Sequence, residues 1–449
     1  MSGIVQRPSA PIRMMRYLIR KIDYPINYFQ KHIFRLQTGR RYVADLRGRE
    51  ITKPPPSGRC YFDLSVICQD DAATGIQRVV RSTAGKLAQA RQDQAIQPQF
   101  IYTFRMRHYL LEVNENGFHK TDEPVKYEPG DTFVGLDFSL DAIWRMRREL
   151  REMRQRGVYF WYLVHDFLPL THPAWFSDST VLRFRNWIAI IAATADGFFC
   201  VSRPVERQLR TLFAERFALT DGFSTEVIPM GGDFLNSRPS TGLPADYDSL
   251  LTAMRARPSL LMVGTIEPRK GHADALDALE ILWARGADIG LVLVGGSGWK
   301  MADFNQRLGS HPEAGHRLRV VGKISDEALD LAYEACTGVL FPSHAEGFGL
   351  PVIEALGRGK PVLARGLEVL LAHAGKGVSF FDADATTEAL ADAIEHWILD
   401  ESREPARPDL LSTWEQSAKF IERRLGRSAL ARVNPSRPQA AIRGLSHAK

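Results

Sequence analysis

The sequence predicts an α/β protein built as two doubly wound, Rossmann-like domains facing each other across a cleft, and three observations carry that prediction. A chain of 449 residues exceeds what one hydrophobic core supports, while 45% hydrophobic and 24% charged residues are the balance of an ordinary globular protein. Short apolar, β-rich runs alternate with helical patterns through both halves, the habit of a parallel sheet with crossover helices. Between Asn236 and Pro258 the chain turns to Pro, Ser, Gly and Asp, and a new apolar run starts at Ser259, which places a boundary there.

In chain order, Pro11 to Ile22 sets Met15, Leu18, Ile19 and Ile22 at helical spacing, with Arg13, Arg16 and Arg20 mainly on another face. Such a basic amphipathic helix packs on the protein body or lies on an anionic membrane, and the pattern leaves both readings open. Lys53-Pro54-Pro55-Pro56-Ser57-Gly58 reads as a rigid linker, so residues 1–57 form a basic arm and linker and the folded body begins near residue 58. The first domain, 58–240, has strands expected at Cys60–Val66, Pro98–Tyr102, Thr132–Leu136, Val158–Val164 and Gly197–Val201. The second, 258–410, has strands at Ser259–Gly264, Gly290–Val294, Leu318–Val321 and Gly338–Phe341, with helices over Ala273–Ala284 and Glu327–Ala335. Ser412 and Glu415 match a capping box that starts a helix over 411–426. The last stretch, 427–449, has five basic residues, no acidic ones and few large apolar groups, the composition of a disordered tail.

The net charge of +6 is unevenly spread: residues 1–59 hold thirteen Lys or Arg against three acidic residues, a net of +10, which leaves −4 for the remainder. A basic balance confined to one end points to an arm that meets an acidic surface and away from a nucleic-acid-binding body. Cys60, Cys68, Cys200 and Cys336 show no C-x-x-C spacing and no histidine partners, so neither a zinc site nor a disulfide framework is expected, and a reducing cytoplasm is the default. No run approaches the roughly 18–20 apolar residues of a membrane span. Contact with a membrane would be peripheral.

The strongest chemical signal is Phe341-Pro342-Ser343-His344-Ala345-Glu346-Gly347-Phe348-Gly349-Leu350-Pro351-Val352-Ile353-Glu354-Ala355, a strand end, a glycine turn and a helix that begins at a proline. The glycines Gly347 and Gly349 let backbone amides near Phe348 and Leu350 approach a ligand, and a helix N-terminus favours a diphosphate. Glu346 can accept hydrogen bonds from sugar hydroxyls and Glu354 from a ribose diol; singly, each equally well caps a turn or complements the helix dipole. A second strand end, Val263-Gly264-Thr265-Ile266-Glu267-Pro268-Arg269-Lys270-Gly271, offers two adjacent cations able to neutralise a departing nucleoside diphosphate, although an Arg-Lys pair in a loop is usually solvated surface. In the first half, Thr74-Gly75-Ile76-Gln77-Arg78 opens a helix without the G-x-G-x-x-G fingerprint. His165-Asp166 closes a long apolar strand, where the histidine either donates to substrate or is satisfied by a core carbonyl.

In this order these segments resemble the family 4 retaining glycosyltransferases over roughly residues 60–425. Glu346 to Glu354 matches the family's E-x7-E element within P-S-x-x-E-G-F-G-L-P-x-x-E-A, the most specific match in the chain. Gly75 to Arg78 resembles the N-terminal glycine loop that faces donor and acceptor, and His165-Asp166 the family's H-D, whose histidine lies near the transferred sugar. Ser202 and Val227 to Asp233 resemble its V-S and V-I-P segments, Val294 to Trp299 and Val321 to Ser325 the loops around the nucleotide, with Lys323 near the base, and Trp414 the helix that crosses back to the first domain. One departure stands out: Thr265 occupies a position where many members carry arginine, while Lys270 keeps the family's lysine and Arg269 is the available substitute. The Thr-Ile-Glu-Pro-Arg-Lys wording resembles the branch of bacterial mannosyltransferases of surface polysaccharide assembly, which tilts the donor toward GDP-mannose.

What the resemblance implies is a GT-B enzyme that moves a hexose from a nucleotide diphosphate sugar to a hydroxyl acceptor with retention, needing no metal and no cofactor. His165, Glu346, Lys270 and Arg269 would be catalytic, and Gly75, Gly264, Thr265, Lys323, Gly347, Phe348, Gly349, Leu350 and Glu354 would bind the donor. The basic arm adds a lipid-linked saccharide acceptor at the cytoplasmic face of a membrane, as in bacterial exopolysaccharide or lipopolysaccharide synthesis. Two other classes stay open on sequence grounds: a non-catalytic scaffold of the same shape, and a sugar phosphorylase or epimerase.

Overall fold

The computed structural model describes residues 39–430 apart from 50, 52, 72–73, 90–95, 115–116, 234–241 and 245. The amphipathic segment Pro11 to Ile22 and residues 431–449 lie outside the described residues. Among those described, fourteen strands form two sheets. In the first half these are β1 (Arg59–Asp63), β2 (Gln97–Phe104), β3 (Arg107–Asn114), β4 (Gly117–Pro124), β5 (Thr132–Gly135), β6 (Tyr159–Val164), β7 (Gly197–Cys200) and β8 (Ser224–Val227). In the second they are β9 (Ser259–Val263), β10 (Gly290–Val294), β11 (Leu318–Gly322), β12 (Gly338–Phe341), β13 (Val362–Arg365) and β14 (Val378–Phe381).

The second sheet runs β11-β10-β9-β12-β13-β14, wholly parallel, so its order reverses between β9 and β12. The first runs β4-β3-β2-β1-β5-β6-β7-β8, and its parallel part reverses between β1 and β5. Ligands of open α/β sheets lie outside the carboxyl ends of strands at such reversals, here the loops after β1, β9 and β12. The strands read as continuous apolar runs because helices cover both faces: β12 is buried at every residue, as is Phe160 to Val164 of β6. The expected pair of doubly wound domains is therefore the observed fold.

Four local features differ from expectation. Residues 39–47, assigned to the basic arm, form a helix whose Val43 and Leu46 join the first core, and Arg47 donates to the carbonyls of Ala192 and Ala195 at 2.7 and 2.6 Å. The proline linker is also seated on the domain, with Lys53 bonded to Asp196 at 2.6 Å and lying over the Tyr159 ring. Strands β3 and β4 add an antiparallel extension unannounced by the sequence, because β4 is a mostly exposed edge without apolar alternation. The β2–β3 turn places Arg105 and Met106 at positive φ, a two-residue hairpin geometry usually flagged by Asn-Gly. At the C-terminus the reciprocal cap is Thr413 with Gln416, at 3.2 and 3.0 Å, and not Ser412 with Glu415, because the helix Trp414–Leu430 starts one residue later than the pattern suggested. That helix also passes Gly426, into the stretch expected to be a tail.

This helix packs against Gly75–Ala88, and Trp414, Ala418, Ile421 and Leu425 complete the first core. Trp414 lies so close to Gly231 that a Cβ there would stand 2.5 Å from its backbone nitrogen. We expect Gly231→Ala to lift the helix from the first domain, seen as earlier proteolysis within residues 400–430 at an otherwise retained melting transition.

Several histidines are buried in neutral form. Burial holds His108 down to about 3 and His272 and His373 to about 4, and His108 stacks on Phe133 with its Nδ1 2.9 Å from the Tyr127 hydroxyl. These values lie below the roughly 6.5 of an unfolded histidine, so their contribution to stability is complete above that pH and is lost as the pH falls toward the folded values. Asp63, pushed by burial to about 7, acts oppositely, losing stability as the pH rises from about 4 to 7. Melting temperature should fall between pH 6.5 and 4, and fall less steeply in His108→Gln; parallel curves would refute a neutral His108.

Candidate functional site

The loops after β9 and β12 meet at one buried carboxylate. Glu346 Oε1 accepts from Lys270 Nζ at 2.5 Å and Oε2 from Arg269 at 3.1 Å, while Arg269 also bonds Glu267 at 2.7 Å. Local sequence dictates this: Pro268 starts a single 3-10 turn directly after the β9 loop, Gly271 ends it at φ +68°, and the two cations project together. Burial raises the Glu346 carboxyl, but Lys270 and Arg269 outweigh it and hold the group below its ordinary value. Lys270 is lowered by burial and by Arg269 beside it, the expected result when two cations share one carboxylate.

The opposite wall comes from the first domain. His165 and Asp166 follow β6; His165 is buried, its Nε2 has no hydrogen-bond partner, and burial holds it to about 4, so it is neutral. Asp166 Oδ1 caps Leu168 N at 3.0 Å, and its carboxyl is raised by burial against the opposing pull of Arg269. The two domains touch at the glycine turn. A Cβ on Gly347 would lie 2.0 Å from the His165 carbonyl oxygen, and Ser202 Oγ donates to the Gly347 carbonyl at 2.7 Å. Gly349, at φ +90°, is the N-cap of the helix Leu350–Gly357 and turns the chain so that this helix starts at the cleft.

Glu354 stands elsewhere: it is buried in that helix, and its Oε1 accepts from Arg78 of the first domain at 3.1 Å. Thr74 caps the helix of Arg78 in a capping box with Gln77, and Gly75 faces Leu350, with a Cβ there 3.3 Å from Leu350 Cδ1. Phe348 packs edge-on against His373. Gly264 follows β9, Thr265 lies beside Gly298, and Lys323 runs along Gly296. The structure thus gathers Glu346, Lys270, Arg269 and His165 around the Gly347 turn, and Glu354, Gly75 and Leu350 one helical turn away. Arg78, Ser202 and Asp166 lie within the sequence motifs, which give them no site role; Asp326, the second partner of Arg78 at 2.8 Å, carries no signal beyond its place after Ser325. A cavity of about 540 Å³ is lined by Pro268, Gly271, His272, Lys300 and Met301, and its lining includes neither glutamate, so we place the chemistry by the residues and not by the void. Among the described residues no cluster of His, Cys, Asp or Glu could hold a metal, and no helix is long and apolar enough to cross a membrane.

Residues 254–418 match the family of glycosyl transferases group 1. The serotype-specific mannosyltransferase WbdA of Escherichia coli is 34% identical over 373 residues, 81% of this chain and 46% of that protein, so the chain spans about half the length of that relative. The O-antigen chain mannosyltransferase B of Escherichia coli is 32% identical over 142 residues, 30% of this chain and 36% of that protein. Anabaena HepE in complex with UDP and glucose superposes with a TM-score of 0.52 at 18% identity, covering 84% of this chain and 98% of that one, a likeness of fold.

A Cβ at residue 347 cannot coexist with the His165 carbonyl. We expect Gly347→Ala to separate the domains, read as a larger radius of gyration by small-angle scattering with secondary structure unchanged.

Proposed function

We propose that the chain, whose residues 254–418 match the glycosyl transferases group 1 family, transfers a hexose, mannose, from a nucleoside diphosphate sugar to a hydroxyl acceptor with retention. The observation that carries the reading is the buried Glu346 held by Lys270 and Arg269 beside the Gly347 turn and opposite His165. In this reading the two cations turn from Glu346 to the diphosphate, and backbone amides of Gly347 to Leu350 at the helix N-terminus take the remaining phosphate oxygens. Glu346, so released, accepts hydrogen bonds from sugar hydroxyls, and Glu354 accepts them from the ribose. Charge that develops on the leaving diphosphate is met by cations already in place, which costs little reorganisation.

His165, neutral and buried with a free ring nitrogen, suits a hydrogen bond to the reacting sugar rather than proton transfer near neutral pH. Glu346, engaged by the sugar hydroxyls once donor is bound, is assigned to recognition and not to a covalent glycosyl-enzyme. Arg269 stands in for the arginine that many relatives carry at the Thr265 position. Gly264, Thr265 and Lys323 line the nucleotide side.

The relatives, serotype-specific and O-antigen mannosyltransferases, favour GDP-mannose as donor and a lipid-linked saccharide as acceptor, at the inner face of a membrane that the basic arm contacts. Isothermal titration with GDP-mannose, UDP-glucose and UDP-N-acetylglucosamine, without metal, tests the donor site. One donor should bind, and Glu346→Ala and Lys270→Ala should each reduce turnover by about a hundredfold or more, the scale of losing a charge-stabilising group. If no sugar nucleotide binds, or if both variants turn over like the wild type, the reading fails.

A further inference from the structure

The two glutamates of the proposed donor site are neutralised in different ways. Glu346 takes both cations from its own domain, Arg269 and Lys270. Glu354, with a side chain only 5% exposed, takes its cation from the opposite domain, Arg78, whose other nitrogen holds Asp326. The nearest basic residue on its own helix, Arg358, bonds the Glu354 carbonyl oxygen at 3.2 Å and directs its charge to Asp330 at 2.5 Å, so it does not serve the Glu354 carboxylate.

Arg78 is built to make this reach. Burial opposes its charge, but Glu354 and Asp326 outweigh the burial and keep the guanidinium firmly protonated. The Thr74–Gln77 capping box fixes the first turn of its helix, and Gln77 Nε2 ties that turn to the Asp70 carbonyl at 2.6 Å. One nitrogen of the planar fork serves each carboxylate, a geometry that the single ammonium of lysine does not reproduce.

We infer that Arg78 is a positioning residue for donor recognition: anchored on Asp326, it orients the Glu354 carboxylate from across the cleft, so that Glu354 reaches its ribose-binding geometry only when the domains are closed. This rests on the reading of Glu354 as the ribose acceptor. A carboxylate offers about four lone-pair positions. A single bond from Arg78 to Oε1 leaves room for the diol, and arginine and ribose act together instead of competing.

The test is isothermal titration of the full chain with GDP, UDP and their 2′-deoxy forms, without metal. For whichever base binds, the 2′-deoxy form should bind roughly tenfold more weakly, the scale of one hydrogen bond to a charged group. Arg78→Met should weaken the ribonucleotide about tenfold and bring the ribo-to-deoxy ratio close to one, while Arg78→Lys restores part of both. Unchanged affinity and ratio in folded Arg78→Met overturn the inference. Should that variant not fold, Asp326→Asn decides: a reduced ratio supports the inference and an unchanged ratio overturns it. Glu354→Ala separates the two claims. If affinity and ratio survive it, the ribose reading falls and this inference with it; if it abolishes the ratio while Arg78→Met preserves it, only the role of Arg78 falls.

Discussion

The approach of the Gly347 turn to the carbonyl of His165 is the contact on which the rest of the cleft depends. No side chain fits between them, so two backbones from different domains meet directly, and Ser202 locks the Gly347 carbonyl from the same side. Everything placed around that contact inherits its position. Glu346 precedes the turn, the helix carrying Glu354 follows it, and His165 and Asp166 form the facing wall. A side chain at 347 would remove the composite character of the site while leaving both sheets intact.

Electrostatics in this closed space follow from unequal pairing. Removing a carboxylate from water is costly unless cations accompany it, and Glu346 has two. Arg269 also answers Glu267, so two cations balance two carboxylates in this half of the cleft. Around Glu354 the balance is leaner, with one arginine answering for two carboxylates, Glu354 and Asp326. That half of the site suits neutral hydroxyls rather than phosphate.

The C-terminal helix ties this arrangement together. Trp414 sits on Gly231 at the end of the first domain, Asp233 Oδ1 accepts from its backbone nitrogen at 2.7 Å, and the helix then joins the first core. The chain therefore crosses between the domains twice, once near residue 233 and once near 412, and the isolated bridge from Gly231 to Ser412 pairs the two crossings.

Local chemistry was legible in the sequence where short-range rules decide it. The parallel strands announced themselves as apolar runs, because a sheet covered on both faces has no polar side, and the Glu346 to Glu354 segment declared a strand end, turn and helix through its glycines and Pro351. The edge strand β4 and the Arg105-Met106 turn did not, since an exposed edge needs no apolar alternation and the turn carries none of the usual residues. Nor did the helix over residues 39–47, whose basic composition masks two core positions. The sequence by itself determined the fold class, the strand, turn and helix around Glu346 and the identities of the charged groups. Only the tertiary structure decided their partners: that Lys270 and Arg269 share Glu346, that Arg78 crosses 276 residues of chain to Glu354, and that Gly347 is pressed against His165. Pairing at such separations is set by how the two sheets are packed and by which charges cannot be buried alone, and no local pattern encodes it.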